Sequence, residues 1–96
     1  MAETILVVDD DLQTVKLISL LLQRKGYRIL PATSGAQALA KAETEQPDLI
    51  ILDVMMPDMD GLEVCRRLRA NPRTSAIPIL MFTAKTAVGD KIAGFQ

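Results

Sequence analysis

The sequence predicts an α/β fold in which a doubly wound parallel sheet is covered by helices on both faces. Two observations carry this. Along the 96 residues, short β-rich apolar runs alternate with longer stretches of helical periodicity. Three of those runs, "ILVV", "LIIL" and "ILMF", are apolar at every position, as strands buried on both faces require.

The first run, "TILVV" at 4–8, reads as a buried strand. Leu12, Val15, Ile18, Leu21 and Leu22 then recur at helical spacing and mark the inward side of a first helix. Asp11 can cap its start, and Gly26 can end it in a left-handed turn. "YRILPA" at 27–32 is a second strand, placed nearer an edge because Pro31 has no N–H to donate. "SGAQALAKAETEQ" is a second helix, with Ser34 as cap, Ala36, Leu39 and Ala40 inward, and Pro47 blocking its continuation. "LIILD" at 49–53 is the third strand. "GLEVCRRLRA" at 61–70 is a third helix, with Leu62, Val64, Cys65 and Leu68 as its apolar side. "NPRTSAIP" is a loop, "ILMFT" at 79–83 a fourth strand, and "TAVGDKIAGF" at 86–95 a fourth helix. Repeats, low-complexity tracts and linkers are absent.

Composition narrows the function. Hydrophobic residues make up 49% and charged residues 24%, as in one soluble globular domain. A formal net charge of −1 gives no reason to expect nucleic acid or an anionic membrane as a direct partner. No apolar run approaches the ~20 residues of a membrane span. "MAETILVV" lacks the basic region and cleavage site of a signal peptide, so a cytoplasmic location is expected. The single cysteine, Cys65, excludes an internal disulfide, and its place on the third helix reads as core. The absence of histidine removes His-based metal sites and Ser-His or Cys-His catalysis.

Acidic residues collect where such a sheet binds ligands, at the carboxyl ends of its strands. Asp9 and Asp10 follow strand one, Asp53 closes strand three and Thr83 closes strand four. If strands one and three are neighbours, three carboxylates meet in one cleft. Their repulsion calls for a cation, and Mg²⁺ suits all-oxygen donors. Turn and cap chemistry accounts for Asp11, and for Asp58 and Asp60 beside Gly61. It does not account for the other three together. Two rival motifs fail or weaken. Read as a calcium-binding EF-hand loop, "DMDG" would need ligands at Met56 and Arg67. A phosphatase of the haloacid dehalogenase type needs a second Asp where Met55 stands.

"ILVVDDD", "LIILDVMMPDMDG" and "IPILMFTA", in this order and spacing, resemble the receiver domain of two-component response regulators. The resemblance implies a flavodoxin-like sheet and an Mg²⁺-dependent phosphoacceptor at Asp53, which attacks a phosphohistidine on a sensor histidine kinase or phosphotransfer protein. The resemblance implies a self-catalysed transfer and dephosphorylation rather than conventional enzyme turnover. Asp10 would bind Mg²⁺ directly, Asp9 directly or through water, and the Met55 backbone carbonyl would complete the set. Thr83 would hydrogen-bond a phosphoryl oxygen and Ala84 would offer its backbone N–H. Pro57 and Gly61 would shape the loop. The Met55 side chain could also shield the phosphoaspartate from water. Arg66, Arg67, Arg69 and Arg73 read as a solvated face that complements a helix C-terminus.

The resemblance also implies a fifth strand, a Lys followed by Pro, and a fifth helix after a stretch like "AGFQ". None stands in residues 1–96, and Lys85, directly after "FTA", does not take that role. The expectation is therefore an incomplete receiver over 1–96, with strands in the order 2-1-3-4. Strand four would be an open apolar edge, and some of Leu17, Leu20, Leu21 and Leu22 would be uncovered. This suggests a second reading, a scaffold with little or no phosphorylation that forms a homodimer through strand four and helix one.

Overall fold

A computed structural model describes residues 2–56 and 58–82, and the backbone of 94 and 95. Its elements are β1 (Thr4–Val8), α1 (Leu12–Arg24), β2 (Arg28–Ala32), α2 (Gly35–Glu45), β3 (Leu49–Asp53), α3 (Gly61–Ala70), β4 (Ile79–Phe82) and β5 (Gly94–Phe95). The sheet order is β2-β1-β3-β4-β5, with the first four strands parallel. This is the flavodoxin-like arrangement the sequence predicts, strands 2-1-3-4 in order, with one addition. β5 pairs antiparallel with β4, setting Phe95 beside Leu80 and Gly94 beside Met81. Part of the expected open edge of β4 is thus occupied, and Gly94 and Phe95 are strand where the sequence suggests helix. An apolar edge with unpaired backbone groups readily accepts such a segment. The rest of the expected fourth helix lies outside the described residues.

Strand alternation sorts the core into two layers. Leu6, Val8, Ile50, Leu52, Ile79 and Met81 face α2 and α3, where Ala38, Ala42, Val64, Cys65 and Leu68 are buried. On the other side Ile5 and Val7 meet Val15 of α1, flanked by half-buried Ile18, Leu22, Ile29 and Ile51. Pro31 sits on edge strand β2, where its missing donor costs no ladder bond on the outer side.

Helix ends reflect local chemistry. Asp11 Oδ1 accepts from Gln13 N–H at 3.0 Å and caps α1; Gly26, at φ 97°, closes it in the left-handed region. Ser34 Oγ accepts from Gln37 N–H at 3.1 Å and caps α2. That helix ends on Gln46, at φ 49°, whose side-chain amide donates to Glu43 O at 3.0 Å. Below α3, the buried Thr74 hydroxyl donates to Leu68 O at 2.7 Å, and Arg69 donates to Ser75 O and Ile77 O at 2.7 and 2.8 Å.

Helix faces differ from expectation in part. Leu12 and Leu21 of α1 point to solvent, as do Leu17 and Leu20, and Val15 is the buried position. In α2 the inward residues are Gly35, Ala38 and Ala42, with Leu39 half-buried, while Ala36 and Ala40 are exposed. Alanines at four alternate positions offer no preferred face, so contact with neighbouring elements chooses one. In α3 the buried stripe is Gly61, Val64, Cys65 and Leu68, and Leu62, one position off that stripe, is exposed. Arg66, Arg67 and Arg73 are exposed, as a solvated face requires, and within it Arg66 and Arg67 pair with Glu63 and Arg73 faces Glu43 at 3.8 Å.

Leu68→Ala is expected to cost about 2–5 kcal/mol and Leu62→Ala less than about 0.5 kcal/mol, read from urea midpoints. Hydrogen bonds from Arg66, and then Arg67, hold the Glu63 carboxyl below its ordinary 4.5, at about 2. Because the folded value is the lower one, this contribution is complete above about pH 4.5 and is lost as the pH falls through about 2. Glu63→Gln is expected to flatten that limb of the urea midpoint against pH, and added salt to shrink the difference.

Candidate metal centre

β1 lies between β2 and β3, so the chain winds away from it in both directions and leaves a crevice at the carboxyl ends of β1 and β3. Val8 pairs with Leu52, which brings Asp9, one residue on, level with Asp53. Carboxylate oxygens of Asp9, Asp10 and Asp53 lie within 4.8 Å of one another. Asp9 and Asp53 are fully buried and Asp10 is half-buried.

Short backbone ties hold these groups. Asp9 N–H donates to Ala32 O at 3.1 Å, and Asp9 Oδ1 accepts from Asp11 N–H at 2.9 Å. Asp53 Oδ1 accepts from Met55 N–H at 3.1 Å. Val54 N–H donates to Phe82 O at 2.8 Å, and Gly61 N–H closes the loop on Val54 O at 2.7 Å. Gly61 lies so close that a Cβ there would meet Asp53 O at 2.6 Å and Val54 Cα at 2.7 Å. Glycine is therefore required at the start of α3 by close approach to the backbone of Asp53.

Burying like charges this close is costly unless a cation joins them. The donors are all hard oxygens from a small cluster, a set that fits Mg²⁺ better than a soft metal. Asp11 caps α1, and Asp60 caps α3 by accepting from Glu63 N–H at 2.8 Å, so both stay out of the cluster. Asp58 does not serve a local turn. Its carboxylate reaches the start of α2, a long-range contact with no signal in the sequence. The Met55 side chain is exposed, beside Asp53 in the chain. Pro57, Thr83, Ala84 and Lys85 lie outside the described residues. Among the described residues no helix is long and apolar enough to cross a membrane.

Over residues 5–96 the sequence matches the family described as response regulator receiver domain. It is 50% identical over 96 residues to the alkaline phosphatase synthesis transcriptional regulatory protein PhoP of Bacillus subtilis, covering 100% of this chain and 39% of that protein. It is 45% identical over 96 residues to the response regulator PleD of Caulobacter vibrioides, covering 100% of this chain and 21% of that protein. The chain thus spans well under half the length of either. The N-terminal domain of a response regulator receiver protein from Methanoculleus marisnigri superposes with a TM-score of 0.84 at 45% identity, over 88% of this chain and 69% of that one. The receiver domain of a sensor histidine kinase from Pseudomonas aeruginosa, solved with a magnesium ion coordinated in the active site cleft, gives a TM-score of 0.83 at 32% identity, over 94% and 74%.

Gly61→Ala is expected to destabilise the fold by about 1–3 kcal/mol, because the added methyl has only backbone to displace. Urea unfolding measures the loss, and amide shifts at Asp53 and Val54 should accompany it.

Proposed function

This chain belongs to the response regulator receiver family of two-component systems, and from that premise we propose that Asp53 is its phosphoacceptor, served by Mg²⁺. The observation that carries the reading is the meeting of Asp9, Asp10 and Asp53 within 4.8 Å at the ends of β1 and β3. The Pseudomonas aeruginosa receiver, with magnesium in its active site cleft, supports the choice of metal.

Asp9, Asp10 and Asp53 would hold the ion, together with the backbone carbonyl of Met55. Mg²⁺, when bound, neutralises charge between the acceptor and the incoming phosphoryl group. The protein supplies the rest as position. Buried Ile50 and Leu52 fix the strand, and the Met55 N–H orients the Asp53 carboxylate. An Asp53 oxygen forms the new O–P bond as the N–P bond of a phosphohistidine breaks. The donor is a sensor histidine kinase or a phosphotransfer protein. Thr83 takes a phosphoryl oxygen through its hydroxyl and Ala84 another through its N–H, and the added charge biases the chain beyond β4. The setting of such a partner is cytoplasmic. The rival reading, a self-associating scaffold, rests on an open β4 edge and an uncovered α1 face; β5 takes up part of that edge at Leu80 and Met81, while Leu17, Leu20 and Leu21 are exposed.

Asp53→Asn is expected to abolish acid-labile phosphate incorporated from acetyl phosphate with Mg²⁺ present. Undiminished incorporation by that variant would refute the assignment.

A further inference from the structure

The loop between β3 and α3 is tied to the rest of the molecule through Asp58. Its Oδ1 and Oδ2 accept from Gly35 N–H at 3.1 and 3.0 Å, and Oδ2 also accepts from Ala36 N–H at 3.3 Å. These are the first two amides of α2, which no acceptor within the helix can reach. The next two are met from inside: Ser34 Oγ accepts from Gln37 N–H at 3.1 Å, and Ser34 O from Ala38 N–H at 3.0 Å. A carboxylate from 23 positions away in sequence therefore completes the positive end of α2. The Met59 side chain also packs on Gly35. A Cβ on Gly35 would lie 2.9 Å from Met59 Cβ, so the loop packs directly on the first turn.

Each end of this contact leads to the acidic cluster. From Gly35 the chain runs back to Ala32, whose carbonyl accepts from Asp9 N–H at 3.1 Å. From Asp58 it runs back to Met55, whose N–H holds the Asp53 carboxylate at 3.1 Å. The segment 32–35 thus bridges the acid on β1 and the loop that follows the acid on β3.

Building on the acceptor reading above, we infer that Asp58 is a positioning residue for the cation site: its clamp on the start of α2 sets the β3–α3 loop, and with it the Met55 backbone, against Asp9. Without the clamp, a bound cation must itself order the loop, and its affinity falls by the cost of doing so.

The test uses Mg²⁺ alone as the probe, titrated into the wild-type chain and three variants and followed by amide NMR shifts. Asp58→Ala raises the Mg²⁺ Kd about tenfold, the low end of what loss of a supporting contact does to a metal site. Asp58→Asn, which keeps the shape and an acceptor but loses the charge, falls between. Both move the amide signals of Val54, Met55 and Met56 before any metal is added. Ser34→Ala removes the other cap from the same turn of α2 and leaves the Kd within about twofold. Equal Kd values for wild type and Asp58→Ala overturn the inference. So does a Ser34→Ala variant that weakens Mg²⁺ as much as Asp58→Ala, since Asp58 would then be a helix cap and nothing more. A wild type that ignores Mg²⁺ overturns the acceptor reading itself, and the metal-free shifts still report separately on the clamp.

Discussion

Asp9 and Asp53, both withdrawn from water, repel each other across the mouth of the sheet. Two unit charges within 4.8 Å repel by roughly 3 kcal/mol or more at an intermediate effective dielectric. Asp10 adds a third charge that is only half-buried. The parallel pairing of β1 with β3 imposes this closeness, because register fixes how far each strand end projects. Burial opposes it. Leu6, Val8, Ile50 and Leu52 are wholly withdrawn from solvent directly behind the acids, and each full burial of such a side chain contributes about 1.5–3 kcal/mol. The rigid apolar strands and the strained acidic mouth are therefore two aspects of one arrangement. The strands hold the three carboxylates together at one small mouth.

The loop after β3 carries the second share of the positioning. Gly61 presses on the carbonyl of Asp53 at its base, and Asp58 fastens its tip to α2. Between them lies Met55, whose N–H orients the Asp53 carboxylate. A connecting loop is ordinarily the least ordered part of an α/β unit. Here it is held at both ends by groups that come from its own sequence but act on different elements.

Most of the sheet could be read from the sequence, because strands buried on both faces must be apolar throughout and few other structures demand that. Asp11 and Ser34 were legible as caps for a similar reason: capping is local and needs only the right side chain at the right step. The acidic cluster was legible because strand ends in a parallel sheet converge. Helix orientation was not. The evenly spaced alanines of α2 carry no directional signal, and the close approach of Gly35 to Met59 settles the matter in three dimensions. Asp58 looked like a turn former since its partner lies far along the chain. Gly94 and Phe95 are too few to show a period, so their pairing with β4 left no trace.

The two faces of the sheet are gripped unequally. Among the described residues, one face is sealed by α2 and α3 over a broad apolar layer, and the other by α1 through a smaller cluster centred on Ile5, Val7 and Val15. Cooperative units of lower stability detach first. α1 is such a unit, so its amides should exchange with solvent by a sub-global route while the opposite layer stays shut. Such a fluctuation leaves the face bearing Asp58 and Gly61 undisturbed, but it loosens one tie of the acidic mouth, the Asp11 N–H that the Asp9 carboxylate accepts at 2.9 Å.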